Sequence, residues 1–229
     1  MNAKEYCESV DRQAALHKKR EKDFPIFENG SPLCSLKETD FQLIYEPSLM
    51  QDYRYFVREE LLSKVQRISE KLQRDSKTLI IRSAWRSFDH QRILWERTVK
   101  RMQLKFPSKP LYDIHEIASY FMARPKKSTH ATGGAIDALV WDNKTNQVLD
   151  FGTNDGFNID LNEKCYPYHP EISQLAKDNR ALLIGLFEEE DFVCDLKEYW
   201  HFDYGNIGWG IENKRHAFFG IIEDCDESA

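Results

Sequence analysis

Ser128-Thr129-His130-Ala131-Thr132-Gly133-Gly134-Ala135-Ile136-Asp137 is the stretch that decides how this chain is read. From Ala135 to Trp141 it alternates as a strand does. The loop Asp142-Asn143-Lys144-Thr145-Asn146 then leads to a partner strand over Gln147 to Asp150, which makes a hairpin. His130 and Asp137 are seven residues apart, so on an unbroken strand they face opposite sides. Gly133-Gly134 removes that conflict, because two glycines allow a turn between a loop-borne His130 and a strand-borne Asp137.

A second string, Glu198-Tyr199-Trp200-His201, follows about sixty residues later. Together the two strings offer two imidazoles, His130 and His201, and the carboxylate of Asp137 as zinc ligands. Three protein ligands with a free fourth position suit catalytic zinc, whereas structural zinc closes all four. Glu198 is placed to take a proton from a water at that position, so the chemistry read here is that of a zinc hydrolase. One His or Asp beside a glycine is most often a turn or cap residue, and Trp200 reads as core. The joint pattern is what carries the reading. Glu198 and His201 are three apart, which breaks strand alternation, so Glu198 is expected at the start of its strand or on a bulge.

Working outward, Phe41 to Tyr45 reads as a strand closed by Pro47. Tyr53, Phe56, Val57, Leu61, Val65, Ile68 and Leu72 recur at spacings of three and four, which predicts one amphipathic helix. Thr78 to Ile81 is a short buried strand. A helix follows from about Asp89 to Met102 with Ser87 as its N-cap. Ile114 to Met122 marks a further short helix, stopped by Pro125. Ile172 to Phe187 is a long helix with Pro170 near its start, and Phe192–Cys194 and Tyr199–Tyr204 are the last strands. Strands in hairpins with helices in blocks predict an α+β fold: a small antiparallel sheet bearing the zinc site, flanked by helices. Residues 3–22 are helix-prone and polar, with Val10, Ala14, Ala15 and Leu16 as their apolar stripe, read as a peripheral helix or a partly mobile arm. Asn29-Gly30-Ser31-Pro32 is a turn, so the chain divides into a helical extension over 1–35 and a zinc-site domain over 36–229.

The 32 Lys and Arg against 38 Asp and Glu leave a net charge of −6, which argues against nucleic acid or an anionic membrane as partner. No run has the length of a membrane span, and Met1 to Lys22 has no apolar signal-peptide core. The five cysteines (Cys7, Cys34, Cys165, Cys194, Cys225) are odd in number and lack C-x-x-C spacing, which fits reduced thiols and a cytoplasmic address. His17, His90, His115, His169 and His216 lie outside both strings and read as surface or locally satisfied histidines.

The form S-x-H-x-x-G-x-A-x-D followed by E-x-W-H resembles the zinc D-Ala-D-Ala peptidases, and within them the D-alanyl-D-alanine dipeptidases of the vancomycin-resistance type. The likeness covers roughly residues 40–205. It implies Zn2+ held by His130, Asp137 and His201, Glu198 as catalytic base, and a small peptide substrate attacked by a metal-bound water. It also implies an arginine that stabilises the transition state. Trp85-Arg86-Ser87 stands where the family has Tyr-Arg-Pro, which points to Arg86, with Arg82 as the competing candidate. Phe151-Gly152-Thr153-Asn154-Asp155 resembles the segment in which the dipeptidases carry an acid for the substrate amine, and a one-residue shift puts Asp155 there. Ser128 and Thr129 adjoin a ligand and either bind substrate or hold the loop. Two rival readings stand beside the dipeptidase: a carboxypeptidase or endopeptidase on cell-wall peptides, and a zinc-stabilised binding module without catalysis.

Overall fold

The computed structural model describes residues 2–48 and 53–222. Its centre is a six-stranded sheet in the order β2 (Leu43–Tyr45), β4 (Lys77–Ser83), β5 (Ala135–Asp142), β10 (His201–Asp203) and β9 (Val193–Cys194), with β6 (Gln147–Val148) paired to the end of β5. Two small hairpin-like pairs flank it: β1 (Leu33–Ser35) with β3 (Phe56–Arg58), and β7 (Asn154–Asp155) with β8 (Asn158–Ile159). The fold is α+β, as expected. The sheet is mixed rather than purely antiparallel, because β2 and β4 run parallel. The chain between them crosses back through α2 (Glu60–Arg74), and such a crossover lets two strands point the same way where a tight hairpin does not.

α2 buries Leu61, Val65, Ile68 and Leu72 at helical spacing, each at most 1% exposed, and each such burial contributes roughly 1.5–3 kcal/mol. The helix predicted from Tyr53 starts later, at Glu60. Tyr55 has φ 55°, a left-handed conformation that no helix continues through, and Phe56–Arg58 pairs with β1 instead. β5 is buried at every position from Ala135 to Val140, which means that both faces of the sheet are covered. Leu183, Ile184 and Phe187 of α5 (Gln174–Glu188) complete the core together with Phe202, whose ring stacks on Phe187 at 3.9 Å between centroids.

α3 (Phe88–Lys105) and α4 (Leu111–Ala118) project as a helical pair with a small core of their own, Val99, Met102, Ile114 and Ala118. Ser87 caps α3 as expected, accepting from the His90 N–H at 3.2 Å. α1 (Ala3–Arg20) is closed by a capping box between Asn2 and Glu5 and is docked on the body. Its buried residues are Cys7 and Val10, whereas Leu16 of the predicted stripe is 53% exposed. α6 (Ile207–Asn213) is the last helix among the described residues. No helix there is long and apolar enough to cross a membrane.

Candidate active site

The glycine pair does what its position suggested. Thr129–Thr132 forms a single 3-10 turn that ends on Gly133 at φ 73°, and β5 begins two residues later. A Cβ on Gly134 would lie 2.3 Å from the Tyr204 carbonyl oxygen, because the two backbones meet there and Tyr204 N–H donates to Gly134 O at 2.7 Å. His130 thus sits on the turn, Asp137 on β5, and His201 directly opposite Asp137 on β10. Burial is nearly complete for all three: His130 is 3% exposed, and Asp137 and His201 are 7% each.

The ring nitrogens of both histidines are sorted by their partners. His130 Nδ1 lies 2.7 Å from the Ala84 carbonyl oxygen, an acceptor only, so Nδ1 carries the proton and Nε2 turns to Asp137 at 3.2 Å. His201 Nε2 lies 3.0 Å from the Asp203 carboxylate, while Nδ1 faces Asp137 Oδ1 at 2.9 Å. Thr129 Oγ1 also approaches His201 Nε2, at 3.2 Å. Asn206 donates to Asp203 at 2.6 Å and to Gly134 O at 3.2 Å, tying this outer acceptor to the glycine turn. One nitrogen of each ring is therefore held by an oxygen, and the other converges with Asp137 into a set of ligand atoms lying within 4.8 Å of one another. Outer oxygen acceptors on both histidines are how proteins orient imidazole for a metal, and two imidazoles with one carboxylate suit zinc. The residues fit the ion.

The electrostatics agree. Burial, with the Arg86 guanidinium nearby, pushes His130 down to about 4, so its ring is neutral and free to donate an electron pair. Burial alone would raise Asp137, but the Arg86 guanidinium and the hydrogen bond with His201 outweigh it and hold the carboxyl well below the usual range. Burial and the neighbouring Asp195 carboxylate push Glu198 up to about 8.

Glu198 lies in the turn just before β10, and its carbonyl accepts from the His201 N–H at 3.0 Å. The strand therefore starts irregularly, as the spacing of three required. Arg86 follows β4. Its guanidinium reaches Asp137 Oδ2 at 2.6 Å, Ser83 Oγ at 2.7 Å and Gln91 Oε1 at 3.2 Å. Arg82 instead forms a two-point pair with Glu46. The structure thus separates the two arginines, and only Arg86 touches the cluster.

His130, Asp137, His201, Glu198, Arg86 and Arg82 line one cavity of about 1090 Å3, together with Ser128, Thr129, Asp195, Lys197, Trp200 and Asp203. Asp155 does not: it is exposed on the β7–β8 pair, whose Ile159 lines the cavity instead. Sequence reasoning missed Asp203, although period-two alternation places it on the same strand face as His201. It also missed Tyr53, whose hydroxyl donates to Trp85 O at 2.7 Å and accepts from Ala84 N–H at 2.9 Å, bracing the segment that leads to Arg86.

Residues 45–220 match the family model Peptidase_M15, described as D-ala-D-ala dipeptidase. The chain belongs to this family. A curated relative, the D-alanyl-D-alanine dipeptidase of Escherichia coli (strain K12), is 37% identical over 76 residues, which are 33% of this chain and 37% of that protein. Among solved structures, VanY D,D-pentapeptidase from the VanB-type resistance cassette in complex with Zn(II) is similar at a TM-score of 0.47 and 13% identity, covering 80% of this chain and 88% of that one. The LdcB LD-carboxypeptidase is similar at 0.46 and 15% identity, covering 83% and 77%. The family match begins at Tyr45, so α1 lies outside it.

Proposed function

We propose that this member of the peptidase family is a zinc metallopeptidase that hydrolyses D-alanyl-D-alanine or a related small dipeptide. The observation that carries the reading is the buried convergence of His130 Nε2, His201 Nδ1 and Asp137, with each imidazole's other nitrogen held by an oxygen. Zinc, when bound by these three, supplies Lewis acidity toward the scissile carbonyl and lowers the pKa of water. Glu198 takes the proton of the attacking water and returns it to the amine nitrogen that leaves as the C–N bond breaks. Burial and the Asp195 carboxylate raise its affinity for the proton that the attacking water gives up. The Arg86 guanidinium, aimed by Ser83 and Gln91, holds the oxyanion that develops on the carbonyl. Ser128 and Thr129 line the substrate side. Thr129 also touches His201, which supports a ligand-orienting part for it beside substrate binding. Asp155 is left as a contact for a substrate amine that reaches past Ile159.

The size of the cavity favours a second reading of the same chemistry. About 1090 Å3 is at the upper end of small-molecule sites and more than a dipeptide fills, so longer peptides with the same terminus are candidate substrates. Intact Glu198 and Arg86 speak against a binding module without catalysis. The proposed division is an extension over 1–35, whose β1 pairs with β3, and a peptidase domain over 36–229. Cys7, Cys34, Cys165 and Cys194 are free thiols, which supports a cytoplasmic address.

A panel of L- and D-dipeptides and longer peptides ending in D-Ala-D-Ala, assayed with and without chelator, tests the proposal. Chelator-sensitive cleavage of D-Ala-D-Ala supports it. Binding of these peptides without cleavage at any zinc level would favour the non-catalytic module.

A further inference from the structure

α1 lies outside the stretch the family shares, yet it is built into the loop that carries Glu198. Cys7 and Val10 pack with Tyr166, and Tyr6 and Leu196 join that cluster. The Tyr6 hydroxyl accepts from the Tyr168 N–H at 3.0 Å, and at the other end of the helix His17 Nε2 lies 3.0 Å from Glu212 of α6. Between these anchors, Asp11 Oδ1 accepts from Lys197 Nζ at 2.8 Å and from the Tyr166 hydroxyl at 2.9 Å. The Lys197 ammonium also sits 3.9 Å from the centroid of the Tyr120 ring and 5.7 Å from that of Tyr166, so Asp11 and two aromatic rings fix its position.

The other end of Lys197 is the backbone of the Glu198 turn. The N–H groups of Lys197 and Glu198 both donate to Asp195 Oδ1, at 2.7 and 3.0 Å. Asp195 N–H in turn donates to His201 O at 2.9 Å, so residues 195–201 close into one small hydrogen-bonded unit. Two consecutive residues of that unit, Leu196 and Lys197, are held by α1, and the next one is Glu198.

We propose that α1 is a positioning clamp, in which Asp11, acting through Lys197 Nζ, fixes the Asp195–Glu198 turn and so aims the Glu198 carboxylate into the cavity. This rests on reading Glu198 as the catalytic base. Asp11 and Lys197 are positioning residues, acting on the reaction through Glu198. A base must lie within hydrogen-bond reach of its proton, and a misplacement of about 1 Å costs up to roughly a hundredfold in rate. The pair is partly shielded, with the side chains of Lys197 and Asp11 22% and 33% exposed.

The test uses the full zinc-loaded chain and the variants Asp11→Asn, Asp11→Glu, Lys197→Met and the double variant Asp11→Asn/Lys197→Met. The measurements are kcat and KM on D-Ala-D-Ala, zinc content, and hydrogen exchange of the amides of residues 195–199 without substrate. Expected for Asp11→Asn is a fall in kcat of roughly tenfold, with KM within about twofold and zinc content unchanged. Exchange at Lys197 and Glu198 quickens in the same variant, and Asp11→Glu restores most of the rate. The double variant is no slower than Lys197→Met alone, since both changes break one contact. An Asp11→Asn enzyme with wild-type kcat overturns the clamp. So does a rise in KM on Lys197→Met that Asp11→Asn does not share, which assigns Lys197 to substrate contact. A fall in kcat without faster exchange overturns it too. If the zinc-loaded wild type cleaves nothing, the peptidase reading fails, and hydrogen exchange alone then decides the clamp.

Discussion

His201 and Asp137 face each other across β10 and β5, with Nδ1 2.9 Å from Oδ1, while the other nitrogen of the same ring is held 3.0 Å from Asp203. The ring is thus gripped at both nitrogens by carboxylates from the two sides of one strand pair. Burial alone would lower His201, but Asp203 and Asp137 outweigh it and hold the ring well above its ordinary value. A corner with this much negative charge suits a cation.

The first consequence concerns Asp203. An outer acceptor of this kind fixes the ring orientation, and its loss typically weakens metal binding about 10–100-fold. Asp203→Asn is expected to lower zinc affinity by that factor in competition with a chromophoric chelator, and Thr129→Val by less. Equal affinity in Asp203→Asn and wild type contradicts the ring-orienting role.

The two arginines are expected to separate in kinetics. Arg86→Ala removes an oxyanion donor and should lower kcat by roughly 10²–10³. Arg86→Lys should rescue little, because one ammonium does not replace a guanidinium shared among Ser83, Gln91 and Asp137. Arg82→Ala, which breaks the pair with Glu46 and the contacts with Phe157 O and the Trp200 ring but none with the metal cluster, should leave kcat within about tenfold of wild type. Steady-state kinetics on D-Ala-D-Ala checks all three.

Gly134 is expected to tolerate no side chain. An added Cβ meets backbone at Tyr204 O, at 2.3 Å, and the Phe219 ring at 2.8 Å, so a strand contact has to open. Gly134→Ala should destabilise the fold by about 2 kcal/mol or more in denaturant unfolding. Gly185→Ala, where nothing lies within 4 Å of the added carbon, is the control and should be neutral or stabilising.

Acid sensitivity is expected at Glu190, 8% exposed at the side chain and paired with Arg67 at 2.7 Å. Burial alone would raise it, but Arg67 outweighs burial and holds the carboxyl below the ordinary glutamate value of 4.5. A carboxyl lowered in the folded state contributes stability that is fully present above that ordinary value. The contribution is lost as pH falls through the folded one. The gap in unfolding midpoint between wild type and Glu190→Gln should therefore be widest near neutral pH and shrink below about pH 4.5. A gap that grows on acidification contradicts the pairing.

Much of the site was legible because its signals are local. The glycine pair announced the break between His130 and Asp137, the spacing of three placed Glu198 ahead of its strand, and Ser87 announced α3. What was not legible depends on distant contacts. The helical stripe through Tyr53, Phe56 and Val57 is broken by Tyr55 at φ 55° and by pairing with β1, which no local period records. The inner face of α1 is chosen by Tyr166 and Leu196, far along the chain, so Cys7 and Val10 turn inward and Leu16 does not. The parallel β2–β4 pair depends on where α2 returns the chain. Asp155 fell in a segment whose short pairing carries it to an exposed position, so likeness of sequence there did not translate into a place on the cavity wall.

The most direct test of the account is zinc content and D-Ala-D-Ala turnover measured side by side for wild type and Glu198→Gln. The account predicts one tightly held zinc per chain in both proteins and a loss of turnover of roughly a hundredfold or more in the variant alone. A Glu198→Gln enzyme working at the wild-type rate, or a wild type that cleaves D-Ala-D-Ala equally well without metal, would contradict it.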